Sequence, residues 1–121
     1  MTAYIELHTS SAFSFLRSAS LPEVLIDRAA MLGYPAVALL DRDGVSGAPR
    51  FHKAALAAGI RPLIGAEITI ETGSQVARAS GSQGVRSSGR HAPGPKSQAH
   101  TFTLPVLCAS QDGWRNLCRL L

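Results

Sequence analysis

The chain has 121 residues, 45% of them apolar and 17% charged, with a formal net charge of +4. That suffices for one small packed domain and argues against global disorder. No apolar run reaches the ~18 residues of a membrane span, and the opening MTAYIELHTS has no basic cluster of a secretory signal. Cys108 and Cys118 build neither a disulfide framework nor a Cys-x-x-Cys zinc site. Both lie in apolar stretches and are expected as buried thiols of a cytoplasmic protein.

In chain order, Tyr4–His8 is short and rich in strand formers and reads as a first strand. Ser20-Leu-Pro-Glu23 has the spacing of a capping box. Leu21, Leu25, Ala29 and Leu32 then fall on one helical face, and Gly33 closes the helix. Ala36–Leu40 is a continuous apolar run, the mark of a strand covered on both faces, and it stops in Asp41-Arg42-Asp43-Gly44. A second helix is expected over 48–58, with Pro49 near its start, Gly59 past its end, and Phe51, Ala54, Ala55 and Ala58 as its apolar stripe. His52 and Lys53 fall on its solvated side. Leu63–Ile70 reads as the next strand. The alternation of strand and helix to residue 70 predicts a parallel sheet of α/β type.

Residues 71–101 break the pattern. They are rich in Gly, Ser, Arg and Gln, show no periodicity, and are expected to form a flexible, disordered surface insertion. Arg78, Arg86, Arg90 and Lys96 lie in it, with no acidic residue between 72 and 100, so these four are candidate DNA contacts beside the plainer reading of a solvated basic loop. A fourth strand is expected over 102–109. Trp114, Leu117, Cys118 and Leu121 then mark one face of a helix over 111–121, Trp114 as a core anchor. The chain ends inside that helical pattern, which suggests the N-terminal part of something longer.

In parallel α/β folds, sites gather at the carboxyl ends of strands. His8 ends the first strand, Asp41 ends the second, and Glu67 lies in the third. A histidine and two carboxylates could bind zinc or manganese. The plainer reading of the residues alone is a polar cluster at a barrel mouth, satisfied by hydrogen bonds.

Three stretches carry a family resemblance. Glu6-Leu-His-Thr-Ser-Ser-Ala-Phe-Ser-Phe-Leu-Arg17 resembles the opening of a PHP domain (polymerase and histidinol phosphatase). Ala38-Leu-Leu-Asp-Arg-Asp-Gly44 resembles its second motif, and Gly59-Ile-Arg-Pro-Leu-Ile-Gly-Ala-Glu67 its third. Leu104–Leu117 is similar to the stretch that follows in bacterial C-family DNA polymerase α subunits, and Phe13–Arg17 with Ala19-Ser20 is most similar to their error-prone branch. The resemblance implies a partial PHP-type (β/α) barrel, truncated at its C-terminus. Residues 1–70 would be its first half, 71–101 an insertion, and 102–121 a further strand and the start of a helix. It implies a cytoplasmic parent that extends DNA primers with Mg2+ in replication, DNA repair and damage-induced mutagenesis. Its partners would be DNA and other mutasome or replication proteins, with no membrane. The polymerase active site would lie outside this segment.

Departures from the metal-binding family pattern matter as much. The first motif of metal-binding members is His-x-His; here His8 is kept and the second histidine is Ser10. A further ligand position is Arg17, and the histidine of the second motif is Arg42, whereas the glutamate of the third is kept as Glu67. A guanidinium is always charged and cannot ligate a metal. At ~4 Å it repels a cation by several kcal/mol even at an effective dielectric of ~20. The resemblance thus implies a degenerate site of His8, Ser10, Arg17, Asp41, Arg42 and Glu67, a segment with no cofactor and no catalysis of its own. Two alternatives stand beside it: a metal-dependent PHP phosphoesterase or 3′–5′ exonuclease, and a non-catalytic module binding nucleic acid or a partner. If the arginines replace the metal, Arg17 or Arg42 should pair with Asp41 or Glu67, by a two-bond fork at best.

Overall fold

The computed structural model describes residues 3–72 and 100–121. Within them the order is β1 (Glu6–Thr9), α1 (Pro22–Met31), β2 (Ala36–Arg42), α2 (Ala48–Ala58), β3 (Arg61–Thr72), β4 (His100–Leu107) and α3 (Gln111–Leu120). The strands lie in sequence order in one curled, mixed sheet, half of a barrel wall. The core sits where α1 and α2 cover β2: Ile26 and Ala29 meet Val37, Leu39, Phe51, Ala55 and Ile60. β2 is buried from Ala36 through Asp41, as its unbroken apolar run requires.

Both helix stops fall where glycine was expected. Gly33 and Gly59 adopt φ of +73° and +71°, the left-handed region that side chains with a Cβ avoid. The start of α1 differs from expectation. The helix begins after Leu21 with no side-chain cap, and Glu23, the reach-back partner of the expected box, instead binds Arg50 of α2 through both carboxylate oxygens. A proline in the first turn removes one of the amides a cap would serve. The buried face of α1 is Pro22, Ile26 and Ala29, not one centred on Leu21 and Leu32, both of which are exposed. In α2, Phe51 and Ala55 are buried and Ala58 is exposed, while His52 and Lys53 face solvent as expected.

The expectation of a wholly parallel sheet is corrected at its last strand. β1–β2 and β2–β3 are parallel, but β4 runs antiparallel to β3, from Gly65↔Leu107 to Thr72↔His100. A parallel neighbour needs a crossover element, usually a helix. The sequence between these strands has no helical periodicity, and an antiparallel partner needs none. Pro105 in β4 fits an edge strand, where a missing amide is tolerated. The two strands also take residues from both ends of the expected insertion, since β3 runs to Thr72 and β4 starts at His100. The rest of that insertion lies outside the described residues.

Gly65 is what lets β4 come so close. A Cβ built there would lie 1.9 Å from the Val106 carbonyl oxygen. The cysteines depart from expectation too: Cys108, between β4 and α3, is only half-buried, and Cys118 is exposed because α3 buries Leu117 alone. Trp114 is half-buried instead of a core anchor. No helix among the described residues is long and apolar enough to cross a membrane.

Candidate functional site

The carboxyl ends of β1 and β2, with the middle of β3, bring the expected residues to one region but not into one cluster. Successive strand residues face opposite sides of a sheet, so Asp41 and Arg42 diverge. Arg42 is level with Glu67 in the β2–β3 register, and Asp41 with Ala66.

Asp41 is 2% exposed. Its carboxylate accepts from the Ser11 amide at 2.6 Å, the Ser11 hydroxyl at 2.7 Å and the Ser14 hydroxyl at 2.7 Å. The Ser14 hydroxyl oxygen in turn accepts from the Arg42 amide at 3.0 Å. A buried carboxylate is tolerated only when so satisfied. Here it ties the segment after β1 to the end of β2. The base of that segment is closed by the Ala12 amide on the Ser20 carbonyl and the Ser18 hydroxyl on the Ser10 carbonyl. Leu16, within it, holds a φ of +60°. Phe13 lies under the Arg50 guanidinium, 5.8 Å from ring centre to Cζ. Asp41 therefore serves as a pin, not as the third member of a ligand set with His8 and Glu67, and this corrects the expected convergence. Ser11 and Ser14 are the residues sequence reasoning missed; their three-residue spacing after a strand resembles any turn.

On the other face, Glu67 is shared. Its Oε1 accepts from Arg42 Nη2 at 2.6 Å and its Oε2 from His8 Nε2 at 3.0 Å. Glu67 and Arg42 are largely covered, His8 about half exposed. The guanidinium first, then the imidazole, hold the Glu67 carboxyl down at about 2. At neutral pH it is an acceptor only, so the His8 nitrogen facing it carries a proton. The expected direct contact of an arginine with Glu67 is made by Arg42 and not by Arg17. Nor is the contact a fork: Arg42 makes one bond to Glu67, and its Nε is buried without a partner among the described residues.

Asp43, read from the sequence as a turn signal, does more. Its φ of +50° is a conformation that aspartate tolerates better than most residues. Its amide donates to the Glu67 carbonyl, and its carboxylate accepts from the amide and hydroxyl of Thr69. It fixes β3 at Glu67 and two residues beyond it.

The remaining expected site residues are scattered. Ser10 is half-buried and offers its carbonyl, not its hydroxyl, to the closure of the loop. Arg17 is exposed and forms no ion pair with Asp41 or Glu67. Arg78, Arg86, Arg90 and Lys96 lie outside the described residues. Among the described residues, no three His, Cys, Asp or Glu side chains are grouped to hold a metal ion. Both oxygens of Glu67 are engaged, and a fixed cation stands against one of them. In this arrangement the Arg42 guanidinium is the cation that faces Glu67.

The family profile of the PHP domain matches residues 6–121. The chain belongs to the PHP-domain family. Over 98% of its length this PHP domain is 42% identical to the error-prone DNA polymerase of Corynebacterium efficiens and 40% identical to that of Mycobacterium bovis. It spans only 8% and 9% of the length of those relatives. A candidate metal-dependent phosphoesterase from Bifidobacterium adolescentis superimposes with a TM-score of 0.52 at 29% identity, covering 57% of the PHP domain and 23% of that chain.

Proposed function

We propose that this PHP domain is a structural element of an error-prone DNA-directed DNA polymerase, its metal site replaced by the His8–Glu67–Arg42 cluster. The names and identities of the polymerase relatives support the parent activity. That parent would transfer nucleotides to a primer with Mg2+, in the cytoplasm, during replication and damage-induced mutagenesis, with DNA and other mutasome or replication proteins as partners. Arg78, Arg86, Arg90 and Lys96 are its candidate DNA contacts in this segment.

The observation that carries the reading is the Arg42 guanidinium 2.6 Å from Glu67. It neutralises the carboxylate that a metal would otherwise serve, and its charge repels any cation offered there. A domain so altered has no means to activate water on a metal, so a phosphoesterase or proofreading role falls away. A polymerase without proofreading makes more errors, which agrees with the relatives' name.

Calorimetric titration of the purified chain with Mn2+ and with Zn2+ tests this. The wild type should give no stoichiometric binding, and the triple variant Ser10→His, Arg17→Asp, Arg42→His should gain affinity. Stoichiometric binding by the wild type, with metal-dependent hydrolysis of p-nitrophenyl phosphate, would instead establish the phosphoesterase reading that the Bifidobacterium likeness favours.

A further inference from the structure

A cavity of about 610 Å³ lies at the opposite end of the β2–β3 ladder from Glu67. His52 of α2, Arg61 at the start of β3, and Ser110, Gln111 and Trp114 at the start of α3 contribute its polar lining. Its size falls within the range of ~300–1,000 Å³ usual for small-molecule sites.

The groups of the lining that can carry a charge at neutral pH or below are basic, Arg61 and His52. No carboxylate contributes to it. A guanidinium and an indole N–H can only donate, and an imidazole can donate from either nitrogen once protonated. Arg61 and His52 take part in none of the ion pairs among the described residues. The backbone of Arg61 is fixed, its amide donating to the Pro35 carbonyl at 3.0 Å and its residue pairing with Ala36. Pro49 and Leu63 add apolar wall beside the half-buried Trp114 ring. A guanidinium with no carboxylate in the lining beside it selects an anion. An indole beside apolar wall selects a flat ring.

We propose that this cavity is a non-catalytic binding site for a nucleoside phosphate, with Arg61 and His52 directed to the phosphate and Trp114 to the base. The site is independent of the His8–Glu67–Arg42 cluster. The ligand could be a free nucleotide or the 5′-phosphorylated end of a single strand, since both present the same groups.

Trp114 is the only tryptophan of the chain, so its indole N–H gives a single NMR resonance that reports on the cavity. Titration of the purified chain with AMP should move that resonance saturably, whereas adenosine and inorganic phosphate should each bind about tenfold more weakly or worse. Arg61→Gln should weaken AMP binding about tenfold, and His52→Gln, an exposed position that the fold does not need, by several-fold. Arg115→Gln, on α3 but outside the cavity, should leave it unchanged. A 5′-phosphorylated oligodeoxynucleotide that binds more tightly than AMP with the same Arg61 dependence identifies a strand end as the ligand; equal or weaker binding identifies the free nucleotide. An indole resonance unmoved by millimolar AMP and by the oligonucleotide would overturn the proposal. So would equal weakening by Arg61→Gln and Arg115→Gln, which would mean a general attraction of anions to a basic surface.

Discussion

Arg42 and Glu67 face each other across the last rung of the β2–β3 ladder, 2.6 Å apart, at the carboxyl end of β2. The pairing places a permanent cation on the Glu67 carboxylate, and it is the largest cause of that group's lowered pKa.

Removing that cation should release the carboxylate. In Arg42→Met the Glu67 pKa should rise from about 2 toward the ordinary carboxylate range, held back partly by His8. Arg17→Met should leave it where it is, because Arg17 pairs with neither carboxylate. Carboxyl-carbon NMR titration of the two variants makes the comparison.

The same shift makes stability depend on pH in a defined direction. Glu67 titrates at about 2 in the folded chain against an ordinary value of 4.5. Its contribution is therefore complete above that ordinary value and is lost as pH falls from there toward 2. The thermal midpoint of the wild type should fall more steeply across this window than that of Glu67→Gln. Parallel slopes would show that the pair contributes nothing.

Asp41 should matter more to the fold than Glu67. Asp41→Ala strands the Ser11 amide and the Ser11 and Ser14 hydroxyls in a buried setting. At about 1–3 kcal/mol for a stranded group, the loss should be ~3 kcal/mol or more. Asp41→Asn keeps one acceptor oxygen and should lose less, ~1–2 kcal/mol. Urea denaturation measures both, and a loss of Asp41→Ala within error of zero would contradict the pinning role.

Gly65→Ala should loosen β4 without disturbing the core. Its new methyl would collide with the Val106 carbonyl, so the strand must shift, at ~1–3 kcal/mol for such overpacking. Amide exchange should quicken for the β3–β4 ladder and stay slow in β2. Uniform acceleration would point to global destabilisation instead.

The elements themselves were legible in the sequence because their signals are local. The unbroken run Ala36–Leu40, the glycines at 33 and 59, and the 48–58 helix each follow from spacing and from the backbone freedom of one residue type. The PHP resemblance was legible for the same reason, because it rests on short stretches of neighbouring residues, and the family profile matches residues 6–121.

The division of labour between Asp41 and Arg42 needed the sheet. Both are polar residues at the end of one strand, and the pleat sends one to a serine-lined pocket and the other to Glu67. Chain order could not say which, because it does not reveal where the loop carrying Ser11 and Ser14 folds back. The direction of β4 was likewise a tertiary matter: a strand pattern looks the same read either way, and only pairing with β3 sets its sense. What the sequence determined on its own was therefore the set of elements and the chemical groups they carry. What the tertiary structure decided was which groups meet, since burial and pairing act between residues far apart in the chain, where sequence spacing exerts no force.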